Sequence, residues 1–217
     1  MSPKKFGFML DKGAKNAIFT LPMLMERCIE IEKDLHLCFI DYSEASYKVK
    51  HVELFRMLEK LDIDGKDLRV IRNSYGDQTA SVRIEGEHSD FKPIKRGVRQ
   101  GCVMSPDLFN LYSEVILKNL DGISGLKING QNLNNLRYAD DTVFIAESGE
   151  QLQKFLDTVV FESERMSLSL NVKKTECMAI SKKSSNPKCN LVSKGEQIKH
   201  ITKYKYLGYH IRWQMHK

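Results

Sequence analysis

Cysteine is sparse in this 217-residue chain, and the five present form no pattern that carries structure or a metal. Cys28, Cys38, Cys102, Cys177 and Cys189 are odd in number and widely spaced, with no Cys-X-X-Cys pair. A disulfide framework and a zinc site are therefore not expected, and a reducing compartment is. The six histidines are scattered without paired-ligand spacing. No apolar run reaches the roughly 18 residues of a membrane span, and the N-terminus carries no signal-peptide pattern. The expectation is an intracellular protein of nucleus or cytoplasm, not secreted, with no membrane as partner. No internal repeat or long linker occurs. What is present is globular: 41% hydrophobic and 29% charged residues exclude a disordered chain. A chain of this size buries roughly 70% of its unfolded surface, enough for a core without cross-links. Lys plus Arg total 34 against 28 for Asp plus Glu, a net charge of +6 that leans towards an anionic partner.

Periodicity supplies the elements. Residues 16–32 carry helical apolar spacing, with Pro22 either opening that helix or kinking it. Leu35-His36-Leu37-Cys38-Phe39-Ile40 reads as a largely buried strand that runs straight into Asp41. A helix follows with Leu54, Phe55, Leu58 and Leu61 on one face, then a shorter one from Lys66 to Tyr75 stopped by Gly76. Thr79–Ile84 and Phe91–Lys95 pattern as a hairpin. Ser105 is placed to cap a helix whose stripe is Leu108, Leu111, Tyr112, Val115 and Ile116. Asn129-Gly130 marks a hairpin turn. Leu133 to Ala146 reads as strand, turn, strand, with two aspartates at the turn. Ser148 and Gln151 fit a capping box. Strands are expected near Leu168–Val172 and Glu176–Ile180, a loop over Lys182–Asn190, and one more hairpin over Ile198–Ile211. The order predicts an α+β fold, an antiparallel sheet with helices on one face.

Three carboxylates stand out. Asp41 ends an apolar strand, and Asp140 and Asp141 share a hairpin tip. Adjacent like charges repel, and a divalent cation relieves the repulsion. Carboxylates converging from two strands can hold two ions about 3.5–4 Å apart. An Asp-Asp pair alone is most often a solvated turn, so the surrounding motifs carry the weight.

Phe39-Ile40-Asp41-Tyr42-Ser43-Glu44-Ala45, then Arg96-Gly97-Val98-Arg99-Gln100-Gly101-Cys102-Val103-Met104-Ser105-Pro106, then Tyr138-Ala139-Asp140-Asp141 occur in this order. Asn171-Val172-Lys173-Lys174-Thr175 and Tyr206-Leu207-Gly208 follow. The series resembles the reverse transcriptases of non-LTR (LINE-type) retrotransposons from about Phe6 to Ile211. The resemblance implies a polymerase palm with partial fingers and no complete thumb. Residues 1–35 and 62–100 would be the partial fingers, 36–61 and 101–197 the palm, and 198–217 a hairpin like the family's primer grip. It implies RNA-directed DNA polymerisation with two Mg²⁺ ions (Mn²⁺ also possible) on Asp41, Asp140 and Asp141. RNA template, DNA primer and deoxynucleoside triphosphates would be the partners. Lys174 matches the lysine that protonates the pyrophosphate leaving group. Tyr42, Ser46, Gln100, Gly101 and Tyr138 fall at substrate-binding positions. Lys92, Lys95, Arg96 and Arg99, and the tail's Lys199, Lys203, Lys205 and Arg212 interleaved with Tyr204, Tyr206, Tyr209 and Trp213, suit phosphate contacts and stacking.

The chain also departs from the family. Ser46 stands where an aromatic normally blocks a 2′-hydroxyl, so either Tyr47 takes over through a local shift or discrimination against ribonucleotides is lost. The family's upstream fingers segment, thumb, endonuclease and zinc module have no counterpart in this sequence. The alternative function is therefore a catalytically inactive retrotransposon-derived fragment that at most binds nucleic acid. A metal-dependent phosphodiesterase is the weakest reading, because no histidine or glutamate is placed as its base.

Overall fold

A computed structural model describes residues 14–61, 63–118, 120, 122–128, 130–138, 141–184 and 187–212. The apolar run at the start of the chain forms strand β1, Leu35–Ile40, and five of its six residues are buried. An almost continuous apolar strand belongs at the middle of a sheet covered on both faces, and β1 lies there. The five-stranded sheet has the order β13-β10-β1-β9-β8, with β8 at Asn135–Tyr138, β9 at Asp141–Ala146, β10 at Glu176–Ile180 and β13 at Lys199–His200. β1 pairs antiparallel with β9 and β10, and β8 with β9. β13 joins β10 in parallel.

The two faces of β1 alternate, as strand geometry requires. Cys38 and Ile40 share a cluster with Phe144, Ala146, Cys177 and Ala179. Over them lie helices α3 (His51–Glu59), α5 (Ser105–Lys118) and α6 (Gly149–Arg165). Leu35, Leu37 and Phe39 face the other way. There they meet Leu21, Leu24, Met25 and Cys28 of α1 (Ala14–Glu30), and Tyr206 and Ile211 of the hairpin β14 (Lys203–Tyr206) and β15 (Tyr209–Arg212). Truncating any one of the wholly buried leucines costs about 2–5 kcal/mol, so both layers are needed.

The remaining elements are short. α2 (Ala45–Lys48) follows Asp41, and α4 (Gly65–Tyr75) starts at Asp64, whose carboxylate accepts from the Lys66 amide at 3.1 Å. An arm follows in which β2 (Thr79–Ala80) pairs with β5 (Lys92–Pro93), and β3 (Arg83–Ile84) with β4 (Glu87–His88). Hairpins β6–β7 (Leu126–Ile128, Gln131–Leu133) and β11–β12 (Val192–Ser193, Glu196–Gln197) complete the chain order. The Ser148 cap forms, its hydroxyl accepting from the Gln151 amide, while the Gln151 side chain accepts from the amide of Glu147, one residue before the cap, at 3.0 Å.

Three local expectations change. Pro22 lies inside α1, so it does not open that helix. Ser105 is the first residue of α5, and its hydroxyl is engaged by a loop. Residues 168–172 are not a strand. Leu170 makes one bridge, to Tyr42, and the rest forms a loop around Asp41. Among the described residues, no helix is long and apolar enough to cross a membrane.

Candidate active site

Asp41 follows directly on β1 and Asp141 opens β9. Ile40 pairs with Thr142 across these strands, so the same register carried one residue further sets Asp41 across from Asp141. Alternation gives Asp41 the face of Phe39 and Leu37, and gives Asp141 the face of Val143 and Ile145. The two carboxylates therefore share one face at one end of neighbouring strands. Tyr138, paired with Asp141, packs half-buried against the same cluster. Asp140, the third expected ligand, and Ala139 lie outside the described residues.

The Asp41 backbone is held on both sides. Its amide donates to the Thr175 hydroxyl at 3.3 Å, and its carbonyl accepts from the Asn171 amide at 2.8 Å. The Ser43 amide donates to the Ser169 carbonyl at 2.9 Å. The Asn171–Thr175 turn is thus clamped beside Asp41, and Lys174 stands exposed in it, its own amide donating to Asn171. The Asp41 Oδ2 atom is buried and has no hydrogen-bond partner among the described residues.

Two tyrosines of the tail hairpin lie over this place. Tyr204 stacks on Phe39, ring centroids 3.8 Å apart and planes 16° apart, and Tyr206 tilts against the same ring at 6.2 Å. Burial, and then the negative charges of Asp141, Glu176 and Asp41, push the Tyr204 phenol up to about 12. Burial and then Asp141 raise Tyr206 as well. Both aspartates are therefore within electrostatic reach of the hairpin.

A buried carboxylate oxygen without a donor is costly, and a second carboxylate beside it adds repulsion. Hard oxygen donors of this kind fit a divalent cation of the Mg²⁺ class. Among the described residues, no group of three or more His, Cys, Asp or Glu is assembled to hold a metal.

Residues 96–101 carry two further candidate residues, Gln100 and Gly101. The Gly97 amide donates to the Val49 carbonyl and the Val98 amide to the Ser46 carbonyl, each at 2.8 Å. These bonds stitch the loop to the segment that leaves Asp41. Gly101 has φ +77°, a left-handed conformation that glycine adopts without strain. The exposed Gln100 side chain donates through Nε2 to the Tyr47 hydroxyl. A cavity of about 460 Å³ lies against this loop, lined by Ser46, Val98, Gln100, Cys102 and Phe109 among others. Tyr47 lines a second hollow of about 440 Å³ on the same loop, with Gln78, Thr79, Arg96 and Gln100.

Tyr42 is turned away from this space. Its hydroxyl bonds Ser163 of α6 at 2.9 Å, and burial, partly offset by that bond, pushes its phenol up to about 12. The expected basic residues divide by position. Lys92, Lys95, Arg96 and Arg99 are exposed on the arm and loop. On the tail hairpin Lys203 lies opposite Arg212 and Lys205 opposite His210, all four exposed, while Tyr206 and Ile211 are buried on its other face. Lys203 and Arg212 are like charges directly across the strand pair, an arrangement that by itself destabilises it. Trp213 lies outside the described residues.

Sequence reasoning did not single out Tyr75, His51 or Arg137, and took Ser105 only as a helix cap. Each is a buried polar group whose partner lies far along the chain. The only sequence signal was a polar residue on an apolar helix face or strand.

Comparison with known proteins gives the family and the fold. Residues 1–211 match the family described as reverse transcriptase (RNA-dependent DNA polymerase). The chain is 25% identical to the Pol polyprotein of the type-2 retrotransposable element R2DM of Drosophila melanogaster over 95% of its own length and 20% of the relative's. It is 26% identical to the RNA-directed DNA polymerase of the mobile element jockey of Drosophila funebris, covering 94% of this chain and 22% of that one. It is 28% identical to the Pol polyprotein of the type-1 retrotransposable element R2 of Nasonia vitripennis, covering 91% and 20%. The chain thus spans about a fifth of the length of these curated relatives. Its fold is similar to that of Candida tropicalis telomerase solved with a fragment of telomeric RNA, with TM-score 0.66, 17% identity, and coverage of 90% of this chain and 32% of that one. The apo enzyme truncated from its C-terminal domain gives TM-score 0.65, 17% identity and coverage of 96% and 39%.

Proposed function

The chain belongs to the reverse transcriptase (RNA-dependent DNA polymerase) family, of the non-LTR retrotransposon type, and from that premise we propose that it is the polymerase core that extends a DNA primer along an RNA template. The observation that carries the proposal is the orphaned, buried Asp41 oxygen on the same sheet face as Asp141, with the Gln100 loop bonded to the segment that follows Asp41. Asp41, Asp140 and Asp141 would hold two Mg²⁺ ions (Mn²⁺ can substitute), which when bound acidify a 3′-hydroxyl and neutralise the charge building on the transferred phosphoryl group.

The chain's own residues do the rest. The Gln100 amide reaches sugar or phosphate of the incoming nucleotide, and Gly101 lets the backbone approach it closely. Lys174, on the turn clamped to Asp41, is a mobile ammonium group suited to give a proton to the departing pyrophosphate. Tyr138 lies beside the primer end. The tail hairpin supports the primer strand with its basic face, Lys203, Lys205, His210 and Arg212. Tyr42 contributes backbone alone, because its hydroxyl is spent on Ser163. Residues 1–35 and 62–100 act as partial fingers, and 36–61 and 101–197 as palm.

Ser46 borders one hollow beside the loop and Tyr47 another, and Gln100 lines both. We infer relaxed sugar selection from the small Ser46 side chain at its hollow, with Tyr47, whose hydroxyl meets Gln100, as the alternative gate.

The test is primer extension on an RNA template with deoxynucleotides and Mg²⁺. Product that disappears in the Asp140→Ala, Asp141→Ala double variant is the expected result. Product unaffected by that variant, or none with the wild type, overturns the proposal. Salt-sensitive binding without turnover would establish the alternative, an inactive fragment that retains nucleic-acid affinity.

A further inference from the structure

The structure assigns a positioning role to two buried hydroxyls, Tyr75 and Ser105, which close a hydrogen-bonded ring around the peptide groups of Arg99 and thereby set the presentation of Gln100. The inference rests on reading the 96–101 loop as the nucleotide-binding loop.

Tyr75 is the last residue of α4 and is wholly buried, while Ser105 is the first residue of α5 and is 7% exposed. The Arg99 amide donates to the Tyr75 hydroxyl at 3.3 Å. The Tyr75 and Ser105 hydroxyls are 3.1 Å apart, and the Ser105 hydroxyl donates to the Arg99 carbonyl at 2.6 Å. Chemistry fixes the direction of every bond. The carbonyl can only accept, so the single Ser105 proton goes to it. Tyr75 must then donate to the Ser105 oxygen, and its own lone pair takes the Arg99 N–H. Each hydroxyl gives one bond and receives one, and no member of the ring is left over. Such a closed buried network reinforces itself and specifies one backbone conformation.

Two aromatic–polar contacts support the ring from behind. The His51 ring meets Tyr75 edge-on at 5.2 Å, and its Nε2 lies 2.8 Å from the Gly97 carbonyl. The loop is thus anchored at Gly97, Val98 and Arg99, and Gln100 follows directly, its exposed side chain reaching Tyr47. If these groups merely filled space, phenylalanine and alanine would serve as well. The hydroxyls add direction, and direction is what a side chain that must meet a ligand needs.

The experiment compares Tyr75→Phe, Ser105→Ala and the double variant of the 217-residue chain, by amide hydrogen exchange and by steady-state primer extension. In the double variant, exchange over residues 97–102 should quicken about tenfold, with β1 and β9 unchanged, as expected from losing a bond or two. The KM for the deoxynucleotide should rise about tenfold while kcat stays within about twofold. Either single variant should give most of the effect, because opening the ring once releases Arg99. An unchanged exchange rate at 97–102 in a folded variant overturns the inference. So does a loosened loop with an unchanged KM, or a fall in kcat accompanied by loosening of β1 and β9. The nucleotide reading of the loop fails separately, if the wild-type chain neither extends a primer nor binds a deoxynucleoside triphosphate. The exchange result still decides the ring.

Discussion

Tyr204 sits where the charges of Asp41 and Asp141 overlap, and its phenol reports on both. Replacing Asp141 by Asn removes a negative charge that disfavours the phenolate, so the Tyr204 pKa should move down from about 12. Ultraviolet titration of Asp141→Asn, with Tyr204→Phe to assign the signal, checks this; an unmoved titration would separate the hairpin from the aspartates. The same raised phenols make stability fall at high pH. Tyr42 and Tyr204 hold their protons to about 12 when folded, whereas an unfolded tyrosine loses its proton near about 10. Their contribution is therefore complete below the unfolded value and is lost as pH rises through the folded one. Denaturant midpoints should fall above about pH 10, and a flat profile from there to about pH 12 would contradict it. Ser46 makes a third statement at this scale. Filling its cavity with Ser46→Phe should raise the preference for deoxy- over ribonucleotides by about tenfold or more. Competition between the two nucleotides during primer extension measures it, and an unaltered ratio removes Ser46 from sugar selection.

Among elements, β8 and β9 must present the aspartates at a fixed angle, and α5 holds them from behind. Arg137 alternates with Tyr138 along β8, so it points at the helices when Tyr138 faces the site. Its guanidinium bonds Glu114 of α5 at 2.9 Å and Asn135 at 2.7 Å. Asn135 passes to Asn134 at 2.7 Å, and Asn134 donates to the Leu120 and Ile123 carbonyls. This chain of polar groups spans from α5 to the loop beyond it. Removing one partner of a buried pair strands the other charge, so Glu114→Ala should cost about 3 kcal/mol, and Glu114→Gln less. For a chain of this length that is a fall in Tm of about 6–12 °C. Ser148→Ala, which removes only a helix cap, should cost about 1 kcal/mol and serves as the yardstick. Equal losses from Glu114→Ala and Ser148→Ala would show that the ion pair does not hold the hairpin.

For the whole molecule the net charge of +6 matters through its placement. The tail hairpin lays its aromatic face on Phe39 and turns Lys203, Lys205, His210 and Arg212 outward. Phosphate binding releases counterions, so affinity for a primer–template should fall steeply between about 50 and about 200 mM salt. Converting Lys203 and Lys205 to Gln should flatten the plot of log affinity against log salt by about 0.7–0.9 for each lysine. Fluorescence anisotropy over that salt range supplies the slopes. Wild-type slopes in the double variant would exclude the hairpin from the nucleic-acid surface.

By itself the sequence determined β1, the β8–β9 hairpin, the Ser148 cap, the amphipathic helices and the family to which the motifs belong. These rest on spacings of two to four residues and on turn and cap chemistry, which the chain carries locally. Only the tertiary structure decided the sheet order with its parallel β13, the loop at 168–172 that clamps Asp41, and the use of Ser105 in the Arg99 ring. It also decided that Tyr42 faces α6 and that Ser46 and Tyr47 border separate hollows, both lined by Gln100. The physical reason is range. Tyr75 finds Arg99 24 residues away and Ser105 30 residues away, and Asp41 finds Thr175 across 134. A polar side chain carries no mark of its partner until packing excludes water from both.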